Sequence, residues 1–173
     1  AAATVLGAQF AGRLVSKEYL CLCVGKPRLV AGGTSEVRSR LRVVQAPDHK
    51  GGLLAVVSPL GKEARTLYGV LATYAPAPSL TACEEALSLL LVRILTGRTH
   101  QIRSHLSSIG LPLASDILYS PRCAEEQSRW CCRMFLHSYR VSLRDVMGER
   151  FSATAQLPTD LIRALRSLSR LDV

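Results

Sequence analysis

The chain has 173 residues, 48% of them hydrophobic, which is enough for one domain (1–173) with a real core. No apolar run approaches the eighteen or so residues of a membrane span, and no charged n-region followed by an apolar core opens it as a secretory signal would. Lys and Arg number 22 against 13 Asp and Glu, for a net charge of +9, and this points to a polyanionic partner, nucleic acid first.

The opening Ala1-Ala2-Ala3-Thr4, without Met, has the look of an internal cut in a longer protein. The expected compartment is cytoplasmic or organellar (mitochondrion or plastid), not secretory. The six cysteines form no C-x-x-C pair, so neither a zinc site nor a disulfide framework is expected. Reduced, largely buried thiols fit the composition.

In chain order, residues 1–14 read as the end of a helix with Val5, Leu6, Ala8, Phe10 and Leu14 as its apolar positions. Lys17 to Val24 alternates as a strand, with Tyr19, Cys21 and Cys23 on one face and Leu20, Leu22 and Val24 on the other. Loops are expected at 32–35 and 48–52. Between them, Arg38, Arg40 and Arg42 line one side of a strand over 37–46. That side is either a phosphate-facing ribbon or, the simpler reading, a solvated edge protected by charge. Glu63 to Tyr74 is a further strand, ended by Pro76-Ala77-Pro78-Ser79. Residues 120–132 read as loop with a short helix. Met134 to Leu143 is a strand holding a hydrogen-bonded His137, and Phe151 to Ala155 pairs back on it. Pro158-Thr159-Asp160 opens a last helix with Leu161, Leu165, Leu168 and Leu171 on one stripe.

The centre of the chain lies between these elements. Ala86 to Leu95 is almost continuously apolar, a strand buried on both faces. Thr96-Gly97 breaks it, and a helix is expected from about Arg98, with Ile102, Leu106 and Ile109 as its stripe and Gly110 and Pro112 as its stop. Arg98, Thr99 and His100 then fall in the first turn, where an anion is favoured and cations make sense if a phosphate arrives to be shared. Arg103 sits at the edge of the apolar stripe, where a guanidinium can be half-buried and aimed at one carboxylate. A solvated basic helix end is the plain alternative.

The stretch Leu95-Thr96-Gly97-Arg98-Thr99-His100-Gln101-Ile102-Arg103-Ser104-His105-Leu106, followed by Gly110-Leu111-Pro112 and Asp116-Ile117-Leu118-Tyr119, resembles the TGRTHQIRVHL, G-x-P-I and GDxxY motifs of the RluA-type pseudouridine synthases. Lys17-Glu18-Tyr19-Leu20-Cys21 resembles that family's K-x-Y-x-A segment, Lys62 to Thr66 its K-x-A-x-T segment, and Leu136-His137-Ser138 its LHA segment. Local departures are Ser115 where the family usually has Gly, and Ser104 where it often has Val. The fold implied is α+β: a mixed, largely antiparallel sheet with a few packed helices, N-terminally incomplete.

The resemblance implies isomerisation of uridine to pseudouridine in structured RNA (rRNA or tRNA), with no cofactor and no metal, RNA as partner and a monomer as the state. Ribose C1′ is cut from uracil N1, the base turns, and C1′ joins C5. Arg103 and Tyr19 take the family's catalytic positions, Arg103 holding the Asp that acts on the ribose and Tyr19 packing on the flipped base. Lys17, Lys62, Arg98, Thr99, His100 and Gln101 take RNA-contacting positions. The family's Asp lies in an H-R-L-D-x-x-T-S-G segment that does not occur within these 173 residues. Gly12-Arg13-Leu14-Val15 mimics it only superficially, and Asp116 reads as structural. Either the chain is part of a synthase, here without catalysis, or it is a non-catalytic RNA-binding module. Arg103 is therefore expected to lack an acidic partner and to face an open basic pocket beside Tyr19. An acid of this chain paired with it there would become the candidate catalyst.

Overall fold

The computed structural model describes residues 2–29, 33–46, 52–75 and 85–171; the turns expected at 48–52 and 76–79 fall largely outside them. The elements are α1 (Ala2–Ala11), β1 (Ser16–Val24), β2 (Thr34–Gln45), β3 (Leu53–Val57), β4 (Lys62–Ala75), β5 (Leu87–Ile94), α2 (Gln101–Ser108), α3 (Pro121–Gln127), β6 (Leu136–Arg144), β7 (Arg150–Thr154), α4 (Thr159–Arg166) and β8 (Ser169–Leu171). They build an α+β fold on one eight-stranded sheet ordered β3-β2-β4-β5-β1-β6-β7, with β8 on β4. The pairings among the described strands are antiparallel. No described helix is long and apolar enough to cross a membrane.

Alternation along β1 and β5 sorts their side chains to two faces. Cys21, Cys23, Leu90 and Val92 pack with Ile102 and Leu106 of α2 on one face. Leu22, Val24, Leu87 and Leu89 pack with Leu161 and Ala164 of α4 on the other. Both faces of the sheet centre are thus covered, which is why Ala86 to Leu95 reads as an unbroken apolar run. Burial holds the thiols at the centre protonated: Cys23 is pushed up to about 12, and its thiol donates to the Ser88 carbonyl at 3.4 Å.

β4 serves both layers through a bulge. Its register against β5 shifts between Val70 and Ala72, so Tyr68 lies with the α2 layer while Ala72 and Tyr74 lie with the α4 layer. One extra residue in a period-2 element moves everything beyond it to the other face. β2 covers β4 only as far as Gly69, which leaves the Thr73–Ala75 edge open, and β8 takes it. The last helix is accordingly shorter than its leucine stripe implies. It stops at Arg166, and Leu171 belongs to the strand, because an unpaired edge offers the backbone more than another helical turn does.

Two further expectations are corrected, the first in part. The segment around Leu53–Val57 forms β3 and pairs with Leu41–Gln45, so β2 lies inside the sheet at Arg42. Arg38 and Arg40 are exposed on the stretch of β2 that pairs with β4 alone among the described strands, and there the solvated-edge reading holds. In α1 the apolar residues Val5 and Phe10 are exposed, as is Leu14 just beyond it, and Gln9 is the buried one. The Gln9 amide donates to the Arg144 carbonyl (2.7 Å) and accepts from the Arg144 N–H (2.8 Å), so α1 is fastened to the end of β6 by one polar side chain.

Candidate active site

α2 begins three residues later than its sequence pattern implies, at Gln101. His100 is its N-cap, in the left-handed region at φ 49°, so Arg98 and Thr99 lie in the turn before the helix rather than in its first turn. Its far end follows the sequence closely. Leu111 N–H reaches Leu106 C=O and Gly110 N–H reaches Ser107 C=O, with Gly110 at φ 78°: the paired bonds of a Schellman stop.

The motif points Gln101 at the RNA, but the residue is 3% exposed and its amide is used within the protein. Oε1 accepts from Thr96 Oγ1 (2.8 Å) and Arg98 N–H (3.1 Å); Nε2 donates to the Arg65 carbonyl (2.9 Å) and to Thr66 Oγ1 (3.0 Å). The chain of bonds continues inward. Thr66 Oγ1 lies 2.9 Å from His105 Nδ1, whose Nε2 faces the Ser39 carbonyl at 3.4 Å. With Thr66 donating to Nδ1, the imidazole is neutral and carries its proton on Nε2. Burial lowers its pKa in the same sense. Much of the Thr-Gly-Arg-Thr-His-Gln motif is therefore a bracket that locks the β5–α2 turn to β4.

Arg103 is not free. Its Nε donates to Asp116 Oδ2 at 2.8 Å and its Nη2 to Asp116 Oδ1 at 2.7 Å, a bidentate pair whose side chains are 13% and 0% exposed. This overturns the expectation of an unpartnered guanidinium. The turn that brings Asp116 there is set by Ser115, at φ 57°, a conformation that explains why Gly is usual in this place. Here Ser115 holds it with two bonds, N–H to Gln127 Oε1 (2.7 Å) and Oγ to the Cys131 carbonyl (2.8 Å).

Asp116 does not thereby become a nucleophile. Its Oδ1 also accepts from the N–H groups of Leu118 (3.1 Å) and Tyr119 (3.2 Å). Oδ1 thus accepts three bonds and Oδ2 one, and the side chain is 0% exposed, so the carboxylate is committed to the turn and to Arg103. The aromatic ring on Arg103 is that of Tyr119, 4.9 Å from the guanidinium carbon. Tyr19 lies half-buried in mid-β1, opposite Val92 and Ser138, against the cluster that includes Ile102. No hydrogen bond or ring contact joins it to Arg103 among the described residues. Burial raises the pKa of Tyr19 and keeps its phenol protonated.

Sequence reasoning passes over Tyr119 as a working residue. Its hydroxyl donates to the Ala55 carbonyl (2.8 Å) and accepts from the Ala55 N–H (3.0 Å), capping the outer edge of β3. His100 meets it edge-on at 6.0 Å. Burial first, and Arg103 second, lower the His100 pKa, so this imidazole is neutral near pH 7. The G-D-x-x-Y spacing is the available signal: Asp116 and Tyr119 three residues apart reach the two sides of one arginine.

The basic residues fall into two cavities on either side of Gly97–Arg98. Arg98 and Thr99 join Lys62 and Arg42 around one of about 390 Å³; Arg98 joins Lys17, Arg13 and Phe10 around another of about 330 Å³. The Lys17 ammonium also lies over the Phe10 ring, at 5.7 Å.

The sequence model described as RNA pseudouridylate synthase matches residues 1–108. An uncharacterised RNA pseudouridine synthase of Chloroflexus aurantiacus is 34% identical over 90% of this chain and 43% of its own length. The ribosomal large subunit pseudouridine synthase D of Nitrosomonas europaea is 33% identical over 96% and 44%. The structure of human RNA pseudouridylate synthase domain containing 1 superposes on 98% of this chain and 65% of that one, with a TM-score of 0.74 at 21% identity, a likeness of fold. The chain belongs to the RluA-type RNA pseudouridine synthase family. It spans a little under half the length of the Chloroflexus and Nitrosomonas relatives.

Proposed function

We propose that this chain is the part of an RNA pseudouridine synthase that receives and orients the target uridine. The reading rests on one observation: Asp116 fixes Nε and Nη2 of Arg103, and Nη1 has no partner among the described residues. A guanidinium held on two nitrogens presents its third in a fixed direction, which suits it to a second carboxylate. The Asp of the family's H-R-L-D-x-x-T-S-G segment is the group that fits there. Held ionised by Arg103, it acts on ribose C1′ while the uracil leaves through N1 and rejoins through C5, the C5 proton going to solvent and N1 taking one up. Tyr19, protonated and half-buried, offers the ring on which the turned base stacks. Lys17, Lys62, Arg98, Thr99 and His100 are the candidates for the RNA backbone, and Gln101 is withdrawn from that set.

The single Asp held by Arg103 is committed to that pair and to its turn, and this favours a binding role without turnover for the chain by itself. The test is tritium release from C5-labelled uridine in bulk RNA. The 173 residues should give none, and a form of the protein that includes an H-R-L-D-x-x-T-S-G segment should give turnover. Release by the 173 residues alone, lost on Asp116→Asn, would make Asp116 the catalyst and overturn this assignment.

A further inference from the structure

The cavity between the start of β4 and the β5–α2 turn is built, not incidental. The chain crosses over at Gly61, where an added Cβ would lie 2.3 Å from the Leu41 carbonyl carbon; no side chain can stand there. Arg40 Nε holds the Gly61 carbonyl at 2.7 Å, and Gly61 N–H closes the turn on Ser58 C=O at 2.9 Å. That crossing seats Lys62 beside Arg42 of β2. Opposite them, Arg98 donates from Nε to the Glu63 carbonyl at 3.2 Å, which anchors its side chain at the rim. Leu60, Leu41 and Val43 supply an aliphatic wall.

Three cations thus converge on about 390 Å³ that no acidic side chain lines among the described residues. The nearby Glu63 carboxylate pairs instead with Arg38, at 3.9 Å. The volume lies near the lower end of the about 300–1,000 Å³ of small-ligand sites, the scale of one nucleotide and far below that of a duplex. Cations without a counter-ion ask for phosphate, and an aliphatic wall beside them asks for sugar or base.

We infer that this cavity is a second nucleotide site, separate from the Arg103–Tyr19 region, which holds one extrahelical nucleotide of the RNA with its phosphate on Arg42, Lys62 and Arg98 and its sugar and base against Leu60 and Val43. The inference rests on the RNA-binding role proposed above. The neighbouring cavity with Arg13 and Lys17 shares Arg98 and continues the cationic track, so the strand leaving the site has a course along it. A pocket of this kind selects substrates by requiring an unpaired nucleotide near the target, with no base-edge reading needed.

The experiment uses the full 173-residue chain and a fluorescein-labelled single-stranded oligoribonucleotide, titrated at several salt concentrations. Arg42→Glu and Lys62→Glu should each weaken binding by about tenfold and lower the log–log salt slope by about 0.7, one phosphate contact apiece. Arg150→Glu, on the exposed strand β7, should leave both within about twofold, as an uninvolved charge would. In a parallel arm, 4-thiouridine placed along the oligonucleotide and irradiated should cross-link to the Leu60–Lys62 turn or to Thr99. If Arg42→Glu and Arg150→Glu weaken binding equally, or if cross-links fall only elsewhere, the site is overturned while RNA binding stands. If the unaltered chain binds no RNA, the RNA-binding role itself falls.

Discussion

Arg103 and Asp116 stand 13 positions apart in sequence and meet fork to fork, at 2.8 and 2.7 Å, with the Tyr119 ring on the guanidinium face. The loop between them is closed by the Gly110 stop and the left-handed Ser115. The pair is a structural unit first, and any chemistry at Arg103 is built on it.

Arg103→Ala should therefore be costly even in this chain. It leaves the Asp116 carboxylate at 0% side-chain exposure with two backbone N–H bonds and no counter-charge. Breaking a buried pair from one side costs about 3–5 kcal/mol, and the backbone bonds place this case at the lower end. Arg103→Lys should recover only part, since one ammonium cannot span both oxygens. Urea unfolding of the three proteins decides it; equal stability of Arg103→Ala and the unaltered chain would show the pair to be idle.

Tyr119→Phe removes one hydroxyl that serves both backbone groups of Ala55. Leaving part-buried backbone groups unsatisfied costs about 1–3 kcal/mol, and water at the β3 edge keeps the loss toward the smaller figure. Amide hydrogen exchange at Ala55 should quicken more than at Val43, its partner in β2. Unchanged exchange at Ala55 would show that the clasp does not hold the strand.

Ser115→Gly tests the departure from the family's usual glycine. The left-handed conformation costs an L-residue about 1–2 kcal/mol, while the Oγ bond to the Cys131 carbonyl returns about 1 kcal/mol. The two nearly cancel, so the glycine variant should unfold within about 1 kcal/mol of the original. Ser115→Val should be clearly worse, since a β-branched residue is a genuine outlier there and has no hydroxyl. Thermal unfolding of both variants reads the difference.

Stability should depend on pH through His105, and in the same direction through His100. Both have pKa values lowered below 6.5, with burial as the largest cause. The unfolded chain therefore takes up protons below pH 6.5 that the folded one refuses. Their contribution is fully present above pH 6.5 and is lost as the pH falls through the folded-state values, where it levels off. Urea midpoints measured across that window should fall on acidification, and His105→Asn should flatten the dependence. A midpoint that rises on acidification would contradict the neutral imidazole between Thr66 and Ser39.

Period and punctuation in the sequence were enough for much of the fold. The unbroken apolar run of β5, the alternation of β1 and the Gly110 stop each report a local cause: which faces are buried, and where a backbone can turn left-handed. The same holds for the motif around Arg98 to Leu106, whose residue order identifies the family. Three things were decided only by tertiary structure. The bulge at Val70/Ala72 moves half of β4 to the other face, and that depends on docking against β5. Gln101, polar and beside a basic cluster, looks like an RNA contact until β4 closes over it and takes its amide. Arg103 has a partner because two turns with positive φ swing Asp116 back beneath it. A side chain's neighbours in sequence say whether it is buried; which group answers it depends on where distant backbone arrives, and single-residue patterns do not carry that information.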